Sequence, residues 1–302
     1  MKKAYFNSNG CWLKGNLHSH TTVSDGVYTP EDMAVDYRAH GYDFISMTDH
    51  NVFVVHDIPT AQDLLLLPGV EQDLAYSRFN CIHVVGTGAA GKTQTDYPCR
   101  KYAPEEMTDQ QLIDMMVADG QFVVLAHPCW SRMEPEEIAA LKGYHAIEVF
   151  NRGAENLCHA GRGDIYWDLL LRRGYRILGV ASDDTHKKHD AFGGWIWVKA
   201  KEKTHAAIME ALFAGQFYAS SGPEILDFGL DGDKAYVRCS GCREIHFVTW
   251  PPRGASHFAA EGEVMTEDVY SLKGGEKYLR IECIDHQGRG AWTNPIFFEE
   301  ND

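Results

Sequence analysis

Short apolar runs alternate with helix-length segments through residues 1–221, and this alternation constrains the fold more than any other feature. Eight runs have strand length: Lys14–Leu17, Phe44–Met47, Leu65–Leu67, Cys81–Val85, Phe122–Ala126, Ala146–Phe150, Arg176–Ala181 and Gly194–Val198. Helices are predicted over Pro30–His40, Thr108–Asp119, Pro135–Leu141, Ile165–Arg173 and Thr204–Phe213. Strands that alternate with helices of this length indicate parallel βα units, closed into a barrel or left open.

The pattern changes after Ser221-Gly222-Pro223. The remaining residues contain short alternating runs and no convincing helix: Ala235–Cys239, Glu244–Trp250, Tyr278–Ile284 and Ala291–Phe297. We therefore predict an α/β domain over residues 1–222 and a small antiparallel β domain over residues 223–302.

Composition narrows the class of partner. The 302 residues carry a formal net charge of −15, without a strong Lys/Arg cluster, so long nucleic acid is an unexpected partner. The acidity suits solubility and cation binding. No apolar run approaches the ~18 residues of a membrane span, and no signal-peptide core follows Lys2-Lys3, so we expect a soluble cytoplasmic protein without membrane association. The sequence does not indicate an oligomeric state.

Eight cysteines are scattered along the chain, and Cys239-Ser-Gly-Cys242 is the only close pair. In a long chain without a signal peptide, this count does not indicate a disulfide framework. We expect ordinary reduced thiols, with a redox or metal role at the close pair as the alternative.

Side chains of the kind that bind metals lie on or directly after nearly every predicted strand. The first strand ends at His18-Ser-His20, and a polar loop then leads to Asp25. Later strands carry or lead to Asp49, His50, Glu71, His83, His127, Glu148, Asp183, Asp184 and His186. Because the carboxyl ends of parallel strands converge on one face, we expect these side chains to meet there.

This set of side chains is too large for one ion. A single zinc site with three protein ligands would leave most of them unused. Two or three divalent ions, such as zinc, manganese or iron, would use them, with Glu71 and either Asp183 or Asp184 as bridging candidates. Two residues have other interpretations: His83 can be a core histidine, and Asp49 can orient His50 or cap a turn.

Taken together, the motifs resemble the PHP (polymerase and histidinol phosphatase) superfamily, most closely its predicted metal-dependent phosphoesterases. They are Asn16-Leu-His18-Ser-His20 with Asp25-Gly26, Thr48-Asp49-His50-Asn51, Pro68-Gly69-Val70-Glu71, His83, Ala126-His127-Pro128 and Ser182-Asp183-Asp184-Thr185-His186. The resemblance covers about residues 14–200. It implies a distorted, TIM-like seven-stranded (β/α) barrel with a trinuclear metal site.

The resemblance also implies roles for individual residues. One ion would be held by His18, His20, Glu71 and the aspartate of the D-x-H motif. A second would be held by Glu71, His83 and His127, and a third by Asp25, His50 and His186. Catalytic roles are implied for His18, His20, Asp25, His50, Glu71, His127 and His186. The D-x-H spacing selects Asp184, whereas the position at the strand end favours Asp183.

The resulting hypothesis is hydrolysis of a small phosphate ester by a metal-activated hydroxide. Candidate phosphate ligands are Arg152, Arg162 and Lys187, and Trp195 can form a substrate wall together with Phe192. Three alternatives remain open: a nuclease or nucleotide phosphatase on the same site, an amidohydrolase-type C–N hydrolase, and a binding module without activity.

Overall fold

The structure is a computed structural model that describes residues 2–7, 9–74 and 82–298. Its helices are α1 (Pro30–Ala39), α2 (Asp109–Ala118), α3 (Pro135–Ala140), α4 (Arg152–Cys158), α5 (Asp164–Arg172) and α6 (His205–Phe213). Short 3₁₀ turns cover Pro59–Ala61 and Lys188–Asp190. Within the described ranges, no helix has the length and apolar character needed to cross a bilayer.

Among the described residues, ten strands precede residue 222, and eight follow it. The first group is β1 (Lys2–Ala4), β2 (Cys11–Asn16), β3 (Phe44–Met47), β4 (Leu65–Asp73), β5 (His83–Thr87), β6 (Phe122–Leu125), β7 (Ala146–Asn151), β8 (Leu178–Ser182), β9 (Trp195–Ala200) and β10 (Phe217–Ser220). The second group is β11 (Ile225–Asp231), β12 (Lys234–Cys242), β13 (Glu244–Trp250), β14 (Ala255–Phe258), β15 (Met265–Ser271), β16 (Tyr278–Ile284), β17 (Gly290–Thr293) and β18 (Ile296–Phe297).

Most strands belong to one large mixed sheet with the order β14-β13-β16-β17-β10-β9-β2-β3-β4-β5-β6-β7-β8, and β18 pairs with β16. Strands β2, β3 and β4 are parallel, as are β6, β7 and β8. Strand β5 departs from the expected parallel arrangement, because it is antiparallel to both β4 and β6. Only the nine residues 74–82 separate β4 from β5, and a parallel crossover needs a dozen or more.

The segments that follow β2 and β8 meet at one edge of the sheet. Ser19 and Thr185 form a parallel bridge, the His20 amide donates to the Thr185 carbonyl at 3.1 Å, and the Asp184 amide donates to the His18 carbonyl at 2.9 Å. Strand β8 also packs against β9 and β10. The predicted mixed α/β class is thus confirmed, whereas closure into a seven-stranded barrel stays a prediction.

Helix starts follow local capping signals. The Thr29 hydroxyl accepts a hydrogen bond from the Asp32 amide at 3.1 Å, and Pro30 occupies the first helical position of α1. Helix α4 was not predicted from the sequence. It begins directly after β7, where the Asn151 side chain accepts a hydrogen bond from the Ala154 amide at 2.8 Å. With only seven residues and a glycine at its second position, this helix has no periodic apolar pattern to reveal it.

The strands after residue 222 are connected to the rest of the fold in two ways. Strand β1 pairs with β11 at one edge of a four-stranded sheet, β1-β11-β12-β15, while β17 pairs with β10 in the large sheet. An apolar core that includes Phe228, Val237, Phe247 and Ile281 fills the space between the two sheets. The domain division at residue 222 stays a prediction, and residues 299–302 of the predicted β domain lie outside the described residues.

Trp292 on β17 provides a test of this connection. Its side chain is 1% exposed and stacks on Phe150 of β7, with ring centroids 6.1 Å apart. Trp292→Ala should lower the free energy of unfolding by about 3–5 kcal/mol, because it removes a buried aromatic ring. Phe258→Ala, at a side chain that is 64% exposed, should change it by less than about 1 kcal/mol. Urea denaturation measures both values, and equal effects would contradict the packing described.

Candidate metal centre

Glu71 lies at the centre of the cluster of predicted ligands. It is fully buried on β4, and its Oε1 atom lies 2.9 Å from His83 Nδ1 and 3.1 Å from His127 Nε2. His83 belongs to β5, and His127 follows the end of β6. Three neighbouring strands therefore deliver two imidazoles to one carboxylate oxygen.

The second oxygen of Glu71 faces three further histidines. Its Oε2 atom lies 3.3 Å from His18 Nε2, 3.1 Å from His20 Nε2 and 3.2 Å from His50 Nδ1. His18 and His20 follow β2, and His50 follows β3. Side chains that are far apart in the chain thus converge on one carboxylate, as the strand-end pattern predicts.

Asp184 completes a compact group with His18 and His20. The Nε2 atoms of the two histidines are 3.1 Å apart, and each lies 3.2 Å from Asp184 Oδ1. Ligands that share one tetrahedral ion, with bonds of about 2.0–2.1 Å, stand about 3.3 Å from each other. Together with Glu71 Oε2, these atoms have the spacing of one set of ligands.

Three polar atoms of the cluster support the same interpretation. Glu71 Oε2, Asp184 Oδ1 and His50 Nδ1 are buried without a hydrogen-bond partner among the described residues. Burial by itself raises the pKa of a carboxyl group, but the surrounding histidines outweigh it and hold the pKa of Glu71 and of Asp184 well below the usual range. Two ionised oxygens that lie 3.1–3.3 Å from imidazole nitrogens without forming a hydrogen bond fit a bound cation.

A more exposed group lies beside this one. Asp25 Oδ1 is 3.5 Å from His186 Nε2 and 3.7 Å from His20 Nδ1, and Asp25 Oδ2 is 3.9 Å from His50 Nε2. The hydrogen bond to His186 is the main cause that lowers the pKa of Asp25 to about 2. These four residues form a second set of side chains that could hold a metal ion.

Glu148 positions two residues of the cluster through hydrogen bonds. Its Oε1 atom lies 2.8 Å from His18 Nδ1, and its Oε2 atom accepts hydrogen bonds from the His127 amide and the Asn151 side chain, both at 2.7 Å. The contact to Nδ1 turns Nε2 of His18 toward Glu71. Carboxylates commonly orient metal-binding histidines in this way. The sequence places Glu148 on a strand with the ligands but does not reveal this orienting role.

Of the two roles expected for Asp49, its contacts are those of a cap on a turn. Its carboxylate accepts hydrogen bonds from the Thr21 amide, the Thr21 hydroxyl and the Ser24 hydroxyl, each at 2.8 Å. These contacts fix the loop that carries Asp25. Asp49 thus acts through that loop rather than by orienting His50.

The structure places the carboxylate of Asp183 outside the cluster. It accepts hydrogen bonds from the amides of Phe192, Gly193 and Gly194 at 2.7–3.0 Å and from the Tyr37 hydroxyl at 2.8 Å. Asp184 follows the end of β8 with a left-handed backbone (φ 50°), and its carboxylate, not that of Asp183, faces His18 and His20. Burial raises the pKa of Asp183 to about 6.

A cavity of about 540 Å³ opens over the cluster. Among the predicted substrate-binding residues, Lys187 lines it, whereas Arg152, Arg162 and Trp195 do not. The Arg152 side chain packs against Gly193, and the Arg162 guanidinium pairs with Asp164 at 2.6 Å. Trp195 lies under the ammonium group of Lys14 and packs with the core around Tyr37. Each of these three side chains has another contact within the chain, and their assignment to the substrate stays a prediction.

The cavity wall contains residues that the sequence analysis did not single out. Trp130 lies with its ring centroid 4.9 Å from that of His127 and 5.5 Å from that of His83. Helix α4 contributes Gly153, Ala154, Asn156 and Leu157. Trp130 follows His127 by three residues, and this proximity is the one sequence signal that could have indicated it.

The two adjacent aspartates allow a matched test of the ligand assignment. Asp184→Asn should weaken binding of divalent ions by more than about 100-fold, because it removes a charged side chain that faces His18 and His20. Asp183→Asn should retain the bound ions and lower the free energy of unfolding by about 1–3 kcal/mol, because it disturbs buried hydrogen bonds. Metal content after dialysis and urea denaturation give the two readouts, and the reverse pattern would show that Asp183 is the ligand.

The chain has detectable similarity to known proteins. No protein-family model matches the chain. Over 82 residues the chain is 38% identical to the 5'-3' exoribonuclease Rnm of Salmonella typhimurium, a match that covers 24% of the chain and only 26% of that relative's length.

Two solved structures have a similar fold. A crystal structure from Bacteroides vulgatus, described as a two-domain protein containing a predicted PHP-like metal-dependent phosphoesterase, is 17% identical with a TM-score of 0.49, and 94% of each chain is covered. An amidohydrolase from Chromobacterium violaceum, solved with bound sulfate and no metal, is 19% identical with a TM-score of 0.42 over 58% of this chain and 89% of that chain.

Proposed function

We propose that the chain is a metal-dependent phosphoesterase of the PHP type, with the strands β2 to β8 acting as the distorted seven-stranded barrel of that superfamily. The observation that carries the proposal is the buried group formed by His18, His20, Glu71 and Asp184. Its two carboxylate oxygens face several imidazole nitrogens without forming a hydrogen bond, and this arrangement and the ligand-like spacing are features of a metal site.

Three sets of side chains would hold three divalent ions. The first is His18, His20, Glu71 and Asp184, the second is Glu71, His83 and His127, and the third is Asp25, His50 and His186. When bound, divalent ions supply Lewis-acid activation of water and neutralise charge on phosphoryl oxygens. Nitrogen and oxygen donors in this combination suit zinc, manganese or iron.

Other residues of the chain would orient the metal ligands and bind the phosphate group of the substrate. Glu148 keeps Nε2 of His18 directed at the centre, and Asp49 keeps Asp25 beside His186. Lys187 brings a positive charge to the cavity wall and would bind a phosphate oxygen. Because His186 is assigned to the third ion, a water or another histidine would supply the proton for the leaving group.

Cavity size and charge favour a small substrate. A volume of about 540 Å³ lies within the range of small-molecule sites, roughly 300–1,000 Å³. The net charge of −15 disfavours a long polyanion. A nucleotide or short oligonucleotide is the second candidate, because part of the chain is similar to an exoribonuclease and because Trp130 could stack on a base.

Substrate panels test this function. The purified chain, supplied separately with Mn²⁺, Zn²⁺ or Fe²⁺, should release product from phosphomonoesters, phosphodiesters or short oligonucleotides, and removal of metal by a chelator should abolish the activity. His127→Ala should lower kcat/KM by at least about 100-fold, because ions in such sites contribute several kcal/mol. His159→Ala is the matched control, since its ring is 92% exposed and does not line the cavity.

The opposite result is equally informative. Hydrolysis of amides without any cleavage of phosphate esters would replace the proposal with the C–N hydrolase alternative. Equal activity of the His127→Ala and His159→Ala variants would remove the cluster from the mechanism.

A further inference from the structure

Three cysteines meet between the two sheets of the β region. Cys239 and Cys242 belong to β12 of the four-stranded sheet, and Cys283 belongs to β16 of the large sheet. Their sulfur atoms all lie within 4.8 Å of one another, and the residues are at most 2% exposed. The third thiol comes from a strand more than 40 residues away in sequence, so the cluster is a product of the fold.

A local irregularity in β12 is what directs both of its cysteines inward. In a regular strand, residues three positions apart point to opposite faces. The register of β12 against β15 shifts between Arg238 and Cys242, and the two thiols consequently lie on the same, buried side. Irregularities of this kind often redirect a side chain toward a site.

We propose that Cys239, Cys242 and Cys283 bind one thiophilic d¹⁰ cation, Zn²⁺ or Cu⁺, which ties β12 to β16. Sulfur ligands at about 2.3 Å from one ion stand about 3.8–4.0 Å from each other, so the observed cluster needs little movement to bind. Thiolates select soft cations, whereas the imidazole and carboxylate cluster over the cavity suits harder ones. Zinc suits both sites, so the sulfur neighbours of the bound ion, rather than its identity, distinguish the cysteine site.

The site is structural in character. The three cysteines belong to the apolar core that also contains Phe228, Phe247 and Ile281, and that core includes none of the metal-centre residues. Binding releases protons from the thiols, and the cation offsets part of the resulting charge: a neutral site would keep one thiol protonated with Zn²⁺ and two with Cu⁺ in this apolar surrounding. Since an ion that binds only the folded state stabilises it, loading should also raise the melting temperature.

X-ray absorption at the metal K-edge tests the proposal directly. The reduced full-length chain is incubated under anaerobic conditions with excess Zn²⁺ in one arm and Cu⁺ in the other, and is then desalted. At least one arm should show sulfur neighbours at about 2.3 Å, which the nitrogen and oxygen ligands of the cavity cluster cannot supply. Cys283→Ser should lose part of this sulfur shell, whereas Cys158→Ser, at an exposed cysteine outside the cluster, should retain all of it.

Each result of the X-ray absorption experiment either supports the proposed site or overturns it. A sulfur shell in the zinc arm identifies a zinc site, and one in the copper arm alone identifies a copper site. Absence of sulfur neighbours in both arms overturns the proposal and leaves the three residues as ordinary core thiols. An unchanged sulfur shell in Cys283→Ser overturns it as well. If Cys283→Ser does not fold, the wild-type spectra alone decide the question.

Discussion

A buried, ionised carboxylate is the constraint on which the rest of this structure depends. Glu71 is inaccessible to solvent, yet the histidines around it keep the pKa of its carboxyl group well below the usual range. Burying such a charge costs several kcal/mol unless partners surround it closely. The fold must therefore bring several segments to the same point at one edge of the sheet. They are strand β5 and the segments that follow β2, β3 and β6.

Three further buried acids keep the cluster rigid without facing its centre. Glu148 links His18 to the backbone of His127, and Asp49 fixes the loop before Asp25. Asp183 accepts hydrogen bonds from the backbone amides of residues 192–194. Each accepts several hydrogen bonds, which is how a buried carboxylate is stabilised away from a cation. This separation between acids that face the centre and acids that position others explains why the chain has more carboxylates near the site than the proposed ions require.

Much of this organisation could be predicted from sequence because its signals are local. Strand β3 was predicted over Phe44–Met47, and β13 and β16 over Glu244–Trp250 and Tyr278–Ile284, with the bounds that the structure has. Each is an apolar or alternating run bounded by polar residues or turns. The position of ligand-type residues at strand ends is equally local, so their convergence follows once the strands lie side by side.

The features that sequence could not predict depend on tertiary packing. The ion pair between Arg162 and Asp164 was not predicted from the sequence, and the assignment of Arg162 to the substrate stays a prediction. The same holds for Cys283, whose approach to the Cys239 and Cys242 pair requires two sheets to face each other. The antiparallel direction of β5 follows from its short connection to β4. The strands that pair with β5 cannot be identified from composition.

Anomalous diffraction from crystals of the chain grown with Mn²⁺ tests the central claim most directly. The account requires anomalous peaks about 2.0–2.2 Å from a Glu71 oxygen and from the nitrogen atoms of His18 and His20. A map with no peak in this cluster, in which Glu71 is instead bonded directly to the surrounding imidazoles, would contradict it.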